Sequence, residues 1–396
     1  MCRPWDLLRS NDLDGFTQMR PKDDLGRRAF RAAVLIASLA VGGQASHAKS
    51  VNYTVYTLSV GDSPSSLATG VMFDGHYIWV AVQNPDGGAL VKMNTSGAVL
   101  STTGVGDNPD EMAFDGTNVW VTDFTSNDVT IVDSSGNLVK TIPLAPSTNP
   151  AGPANPEGIV FDGKSIWVAN DGPYMNSVSK FDVASQSLVG TYPVGLAPDS
   201  VAFDGTYIWV ANSDNNNVWF LDRNTGDFVN GNITYGLFPT DMVWDGTYMW
   251  VANGVSPALG YGSLTKMSAA GQNGFILGPY KIGNQVRGLT HDATSIWACN
   301  AADNTVSRLR SSNAVFLGTF PVGVSPRGAA FDGTKIWIAN SGEGTLTIIV
   351  PPETMGKAAA STAQAPLSAA PSVTVTQAEP SSAAAVAEWL KFILDN

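Results

Sequence analysis

Charged side chains recur at one position of a sevenfold repeat in this 396-residue chain. The residue four places before each repeat start is Thr69, Asp110, Glu157, Asp199, Thr240, Arg287 or Arg327, and Glu111 and Asp241 add two carboxylates at the next position. Carboxylates beside guanidinium groups can bind polar or zwitterionic ligands through charge-assisted hydrogen bonds. Nearly every other repeat position is occupied alike, and variation concentrated at one position is typical of a binding site on a uniform scaffold.

Two other interpretations of these charges stay open. In the first, the acidic and basic groups pair with each other and solvate the surface without binding anything. In the second, Asp110, Glu157 and Asp199 hold Ca²⁺ or Mg²⁺, which favour oxygen ligands. No spacing in the sequence demands a metal, and no nucleophile, dinucleotide or zinc motif is present. We therefore expect no cofactor and assign no catalytic residue.

The elements that position these residues are seven copies of one phrase, of which FDGTYIWVAN is typical. The copies begin at Phe73, Phe114, Phe161, Phe203, Trp244, His291 and Phe331, a period of about 43 residues. Such a period is that of a four-stranded propeller blade. Apolar runs before and after each Asp-Gly turn predict strands a and b, and two further runs predict strands c and d. We therefore predict an all-β fold for residues 49–350, a seven-bladed β-propeller of four-stranded antiparallel blades.

The two ends of the repeat array predict how the ring closes. The last copy has a strand c at Thr345–Val350, but Pro351 and Pro352 then end any sheet. The segment Val55–Gly61 matches the closing strand of the other copies, so we expect this N-terminal strand to complete the last blade. Ring closure places all seven strand-a starts around a central channel. We call the face formed by the b to c and d to a loops the top face, where propellers bind ligands.

Positions that recur from copy to copy within the chain are interpreted as structural. The Trp of each strand b is expected to pack between blades rather than to stack on a carbohydrate. The Asn that ends strand b in five copies is expected to bond its own backbone in the turn. At the channel mouth, Arg287 and Arg327 are expected to face the acids across a gap too wide for most pairs to bond directly. Such a gap would orient a small polar ligand.

A family resemblance follows from the repeated FDGTxIWVAN phrase and the [TY]-x-V-G-x-x-P segment that closes each blade. Both resemble the bacterial extracytoplasmic YVTN/YncE-like and NHL-like β-propellers over roughly residues 51–350. The resemblance implies the fold and little about chemistry, because such propellers serve many purposes. The streptogramin (virginiamycin B) lyases are similar in architecture, and their activity depends on histidine and a metal. The repeat region contains His76 and His291, both near the turn between strands a and b.

The segments outside the repeats predict export and a separate tail. Arg27, Arg28 and Arg31 precede an apolar run, and Ser46-His47-Ala48 offers a cleavage site. Residues 1–48 are therefore predicted to be a signal peptide. Met19 is an alternative start of translation, and the twin-arginine route is an alternative export pathway. Too short to span a bilayer, the apolar run predicts no transmembrane anchor. Residues 351–380 predict an Ala/Ser/Pro-rich linker, and residues 381–396 predict a short amphipathic helix. This helix either docks onto its own propeller or stays frayed, or it contacts a partner or a membrane surface.

Composition narrows the function classes. The net charge is −12, and the first 48 residues are slightly basic, so the remainder repels nucleic acid and anionic lipid. We expect a periplasmic or secreted binding or protein-interaction module whose top face takes a small polar ligand or a peptide. Asp110, Glu111, Glu157, Asp199, Asp241, Arg287 and Arg327 are its predicted ligand-binding residues. The alternative is a metal-assisted lyase or lactone hydrolase with Asp110, Glu157 and Asp199 as metal ligands or base.

Overall fold

A computed structural model describes residues 51–61, 63, 65–144, 153–172, 176–233, 236–254, 260–268, 276–350 and 373–375. These residues belong to one compact unit. Seven antiparallel sheets stand in a ring, six with four strands and one with five, and each strand a lies beside the strand a of the next sheet. The predicted all-β seven-bladed propeller is confirmed. The described part of the chain contains no helix long and apolar enough to cross a membrane.

Each blade contributes one strand to each of four layers, counted outward from the channel. The strands a are β2 (Leu67–Phe73), β6 (Pro109–Phe114), β10 (Pro156–Phe161), β14 (Pro198–Phe203), β18 (Pro239–Trp244), β22 (Val286–His291) and β26 (Pro326–Phe331). The strands b are β3 (Ile78–Asn84), β7 (Asn118–Asp123), β11 (Ser165–Asn170), β15 (Tyr207–Asn212), β19 (Tyr248–Asn253), β23 (Ser295–Asn300) and β27 (Ile336–Asn340).

The outer two layers follow the same order around the ring. The strands c are β4 (Gly87–Met93), β8 (Asp128–Asp133), β12 (Ser177–Asp182), β16 (Asn217–Asp222), β20 (Ser263–Ser268), β24 (Thr305–Arg310) and β28 (Thr345–Val350). The strands d are β5 (Val99–Val105), β9 (Leu138–Pro143), β13 (Ser187–Pro193), β17 (Phe228–Ile233), β21 (Ile276–Lys281), β25 (Phe316–Pro321) and, for the seventh blade, β1 (Val51–Ser59).

The ring closes through β1, as the sequence predicts. This strand pairs antiparallel with β28, from Thr54 opposite Val350 to Ser59 opposite Thr345. Tyr53 is 2% exposed and fixes the start of β1, because its hydroxyl accepts a hydrogen bond from Arg308 of blade six. N-terminal sequence therefore fastens the last blade to its neighbour and removes two sheet edges.

The remaining sequence predictions fall largely outside the described residues. The predicted signal peptide, residues 1–48, and the predicted helix, residues 381–396, are not among them. Within the predicted linker, residues 351–380, only β29 (Val373–Val375) is described, and it pairs antiparallel with residues 51–53 of β1.

One hydrogen bond recurs in all seven blades and joins the a to b turn to the core. The indole nitrogen of the strand-b Trp donates to Oδ2 of the turn Asp at 2.7 to 2.8 Å, in the pairs Asp74–Trp79, Asp115–Trp120, Asp162–Trp167, Asp204–Trp209, Asp245–Trp250, Asp292–Trp297 and Asp332–Trp337. All seven Trp are fully buried. Trp209 packs against Met242, Met249 and Val251 of the next blade, so the predicted packing between blades is confirmed.

Two buried lysines each contact the c to d turn of the following blade. Lys92 donates to the carbonyl of Ser134, and Lys266 donates to that of Ser311, in each case on the following blade. The ammonium of Lys266 also lies 4.0 Å from the Tyr248 ring centroid, a favourable cation–π distance. Each lysine thus satisfies a turn carbonyl while its stem covers apolar surface.

The Asn at the end of strand b has a different partner from the one expected. Its amide donates to hydroxyl or amide side chains of strand c rather than chiefly to its own backbone, as in Asn170 with Ser177 and Ser179. Blade two carries Asp123 at this position, and there Thr130 donates to Asp123 Oδ2 at 2.5 Å. Burial raises the pKa of Asp123 to about 8, and the neighbouring carboxyl of Asp128 adds to the effect.

Replacing Asp123 by Asn tests this difference between blades. The folded state favours protonated Asp123, so it binds more protons than the unfolded chain and loses stability as pH rises from about 4 to about 8. The Asp123→Asn variant should raise the free energy of unfolding by about 1–3 kcal/mol at pH 8, with little change near pH 4. Denaturant titrations at both pH values measure this. The reciprocal Asn170→Asp variant should lose stability over the same pH range; equal pH profiles for all three proteins would contradict the interpretation.

Candidate functional site

The channel mouth on the top face is formed by the first residues of the seven strands a. Pro begins five of these strands, and a register shift follows it, as between Pro198 and Ser200 of β14. A β-bulge of this kind turns the intervening side chain out of the regular ladder. The repeat position of Asp110, Glu157 and Asp199 falls in this bulge, so three successive blades place a carboxylate beside the channel.

Arg327 reaches from blade seven to two of these acids. Its guanidinium lies 2.8 Å from Asp110 Oδ2 and 3.7 Å from Glu157 Oε1, and its side chain is 35% exposed. Although the gap is expected to be too wide for most arginine–acid pairs, Arg327 pairs with two of the acids. Arg287 is exposed, and among the described residues no carboxylate lies within ion-pair distance of it.

Glu111 and Asp241 connect neighbouring blades below the mouth. Asp241 Oδ2 accepts the backbone N–H of Leu289 at 2.6 Å, and Glu111 Oε2 accepts that of Ile159 at 3.4 Å. Both acids stand three places before the start of their repeat. Each accepts this hydrogen bond from a backbone N–H of the next blade. Asp241 also accepts from Met242 and Ser200. These two predicted ligand-binding residues line the channel, but their carboxylates are engaged with the scaffold.

Glu157 and Asp199 meet a third acid that the sequence analysis missed. Asp171, directly after Asn170 at the end of β11, brings one carboxylate oxygen within 4.8 Å of oxygens of Glu157 and Asp199. We call Glu157, Asp171 and Asp199 the acidic arc. Antiparallel pairing of Pro156 with Asn170 makes the residues beside them neighbours. The sequence signal was available, because only the third copy of the WVAN phrase is followed by Asp.

Burial and mutual repulsion disfavour negative charge on the arc. Burial raises the pKa of Asp199 to about 7, with a further contribution from Asp171, and raises that of Asp171 to about 6, with a contribution from Asp214. Burial, with Asp110 and Asp199 nearby, holds the pKa of Glu157 well above its ordinary value. Arg327 lowers the pKa of Glu157 and Asp199, but it is shared among several acids. Arg287 also lowers the pKa of Asp199, so positive charge offsets the repulsion within the arc only in part.

The free space differs sharply above and below Arg327. The recess bounded by Asp110, Glu157, Asp199 and Arg327 has a volume of about 20 Å³, enough for a water molecule or an ion. Below it, a cavity of about 340 Å³ runs along the strands a of blades one, two, six and seven, from Thr69 to Phe73 on one side. A small metabolite does not fit the recess unless Arg327 moves.

The two histidines of the repeat region lie at the opposite end of the blades. His76 is in the turn between β2 and β3, and His291 is the last residue of β22. Arg287 marks the mouth end of that same strand. Burial lowers the pKa of His291, so it is neutral near pH 7. Neither side chain is placed to act with the acidic arc.

Solved structures share this architecture at low sequence identity. Streptogramin B lyase superposes with a TM-score of 0.62 at 16% identity, covering 77% of this chain and all of that one. Hydrazine synthase of Kuenenia stuttgartiensis has a TM-score of 0.61 at 18% identity, covering 74% and 97%. An inactive histidine-to-alanine variant of virginiamycin B lyase from Staphylococcus aureus, solved with quinupristin, has a TM-score of 0.61 at 16% identity, covering 75% and 99%.

These similarities define a class of fold rather than an activity. At such identities they show the propeller alone. No protein-family model matches the chain, and no curated protein sequence matches it significantly. The resemblance to YVTN/YncE-like and NHL-like propellers is therefore supported only at the level of the seven-bladed fold.

Replacing Arg327 by Gln tests whether its charge holds the mouth together. Asp110 would lose its ion-pair partner, and the mouth acids would become harder to ionise. We expect the free energy of unfolding to fall by about 1–3 kcal/mol at pH 8, since the pair is partly solvated. The loss should be smaller at pH 5, where the acids can take up protons. Arg287→Gln removes the same charge without breaking an ion pair and should leave stability unchanged; an equal loss in both variants would contradict this account.

Proposed function

We propose that this protein is an exported binding module whose top face takes a positively charged group of its ligand at the channel mouth. The observation that carries the proposal is the crowding of Glu157, Asp171 and Asp199 beside a recess that Arg327 neutralises only in part. Carboxylates in such a setting gain most when a cation approaches, because attraction strengthens as water is excluded. Export is supported by the basic, apolar and small-residue pattern of residues 27–48.

The small recess favours a ligand that contacts the top face over a ligand that is enclosed in the channel. A ligand that lies across the top face and inserts one cationic tip fits the space at the mouth, whereas an enclosed metabolite does not. A peptide or protein partner with exposed Lys or Arg side chains fits these conditions.

An enzyme remains the second candidate because of the carboxyl groups themselves. Asp199, with a pKa near 7, is suited to act as a general base or acid. The fold likeness to streptogramin B lyase adds only architecture. The variant of the Staphylococcus aureus enzyme in which a histidine is replaced by alanine is inactive. In this chain, His76 and His291 lie away from the mouth, which argues against a lyase of that kind.

A labelled oligolysine peptide tests the binding proposal. Fluorescence anisotropy at low ionic strength should show the parent protein binding the peptide, and Glu157→Gln/Asp199→Asn should weaken binding by about tenfold or more. The matched control is Asp86→Asn/Asp107→Asn, which removes the same charge from exposed top-face positions of other loops and should change affinity less than about twofold. Equal weakening in both double variants would show a general charge effect and overturn the proposal.

A further inference from the structure

We propose that Glu157, Asp171 and Asp199 form a binding site for a divalent cation of calcium size. This inference rests on the proposed function, because it names the positively charged group that the acidic arc takes. The three residues come from two neighbouring blades: Glu157 is the second residue of β10, Asp171 follows β11, and Asp199 is the second residue of β14. A bound ion would therefore bridge blades three and four at the top face.

The spacing of the oxygens fits calcium. One oxygen from each carboxylate lies within 4.8 Å of the other two. Calcium binds oxygens at about 2.3–2.6 Å, so ligands on one ion stand up to about 5 Å apart. Magnesium, at about 2.1 Å, allows only about 4.2 Å and demands stricter geometry. The three oxygens are therefore close enough to share one calcium ion, whose flexible coordination suits an irregular set of carboxylates better than the strict octahedron of magnesium.

The three carboxylates have few competing partners. Among the described residues, the one hydrogen-bond donor to the arc is Ser213, which lies 3.1 Å from Asp199 Oδ1. The Arg327 guanidinium is 3.7 Å from Glu157 and closer to Asp110. Oxygens without donors in a half-buried site are costly unless a cation or water satisfies them.

A separate observation outside the arc points to an ion. Asp110 lines the same recess as Glu157 and Asp199, and its side chain is 5% exposed. Arg327 bonds its Oδ2, but its Oδ1 is buried with no hydrogen-bond partner in the described part of the chain. Buried polar atoms are nearly always satisfied, so an orphaned carboxylate oxygen on a residue that lines a 20 Å³ recess indicates a missing small partner.

The inferred site leaves room for more than the protein ligands. Three carboxylate oxygens supply half or less of the six to eight ligands that calcium takes. Water or oxygens of a ligand on the top face can complete the shell.

Calorimetric titration of the full chain with CaCl₂ alone tests the inference. We expect one site with a dissociation constant of about 0.1–1 mM at pH 7.5, the range of extracellular calcium modules. Asp171→Asn should weaken binding at least about tenfold, because it removes one of three charged ligands without touching the Arg327 pair. Asp199→Asn should do the same, which guards against a local folding defect in one variant. MgCl₂ should bind more weakly than CaCl₂.

The control and the peptide measurement separate the possible failures. Asp86→Asn removes an exposed top-face charge and should leave calcium affinity within about twofold. Absence of calcium binding to the parent, or equal affinity in Asp171→Asn, overturns the inference. If calcium does not bind the parent while oligolysine binds in EDTA and depends on Glu157 and Asp199, the proposed function stands and the calcium site fails. If neither probe binds, both are wrong.

Discussion

The hydrogen bond from each strand-b Trp to its turn Asp is the interaction on which the rest of the structure depends. A fully buried indole N–H without an acceptor would cost about 1–3 kcal/mol, and the arrangement occurs seven times. The second oxygen of the same carboxylate accepts two backbone N–H groups of the turn, as Asp204 does from Thr206 and Tyr207. One side chain thus shapes the hairpin, fixes the Trp rotamer and sets the surface against which the next blade packs.

This arrangement leaves the mouth end of strand a free to vary. The Asp–Trp bonds and the lysine contacts lie toward the a to b and c to d turns, whereas the bulge after Pro198 and its equivalents lies at the other end. Acids collected there are unfavourable for the fold, since the raised pKa values of Asp171 and Asp199 mean that the folded state resists their ionisation. Local conflicts of this kind, on an otherwise consistent scaffold, are characteristic of functional sites.

The sequence predicts the fold well because every blade repeats the same local chemistry. The Asp-Gly turn, the buried Trp and the closing strand at Val55–Gly61 each correspond to a feature of one blade, and pattern alone locates them. The site is only partly predictable because it depends on contacts between blades. Sequence spacing placed Asp110, Glu157 and Asp199 at the mouth.

Three features of the mouth needed the folded structure. Asp171 joins the arc only through the pairing of β10 with β11, and the long Arg327 side chain crosses from blade seven to blade two. Glu111 and Asp241 look like ligand groups in the sequence, yet each accepts a backbone N–H of the next blade. Both positions line the recess, but among the described residues only the carboxylates one residue further along strand a accept a backbone N–H of the next blade.

The most direct measurement compares two aspartates at opposite ends of one strand: Asp199, the second residue of β14, and Asp204, in the turn after it. If the turn acid holds the scaffold and the mouth acid serves binding, Asp204→Asn should lower the melting temperature at pH 8 by several degrees, because its amide N–H₂ would face the indole N–H of Trp209. Asp199→Asn should leave the melting temperature unchanged or raise it, because it removes a charge that the fold disfavours. A larger loss in Asp199→Asn than in Asp204→Asn would contradict this division between scaffold and site.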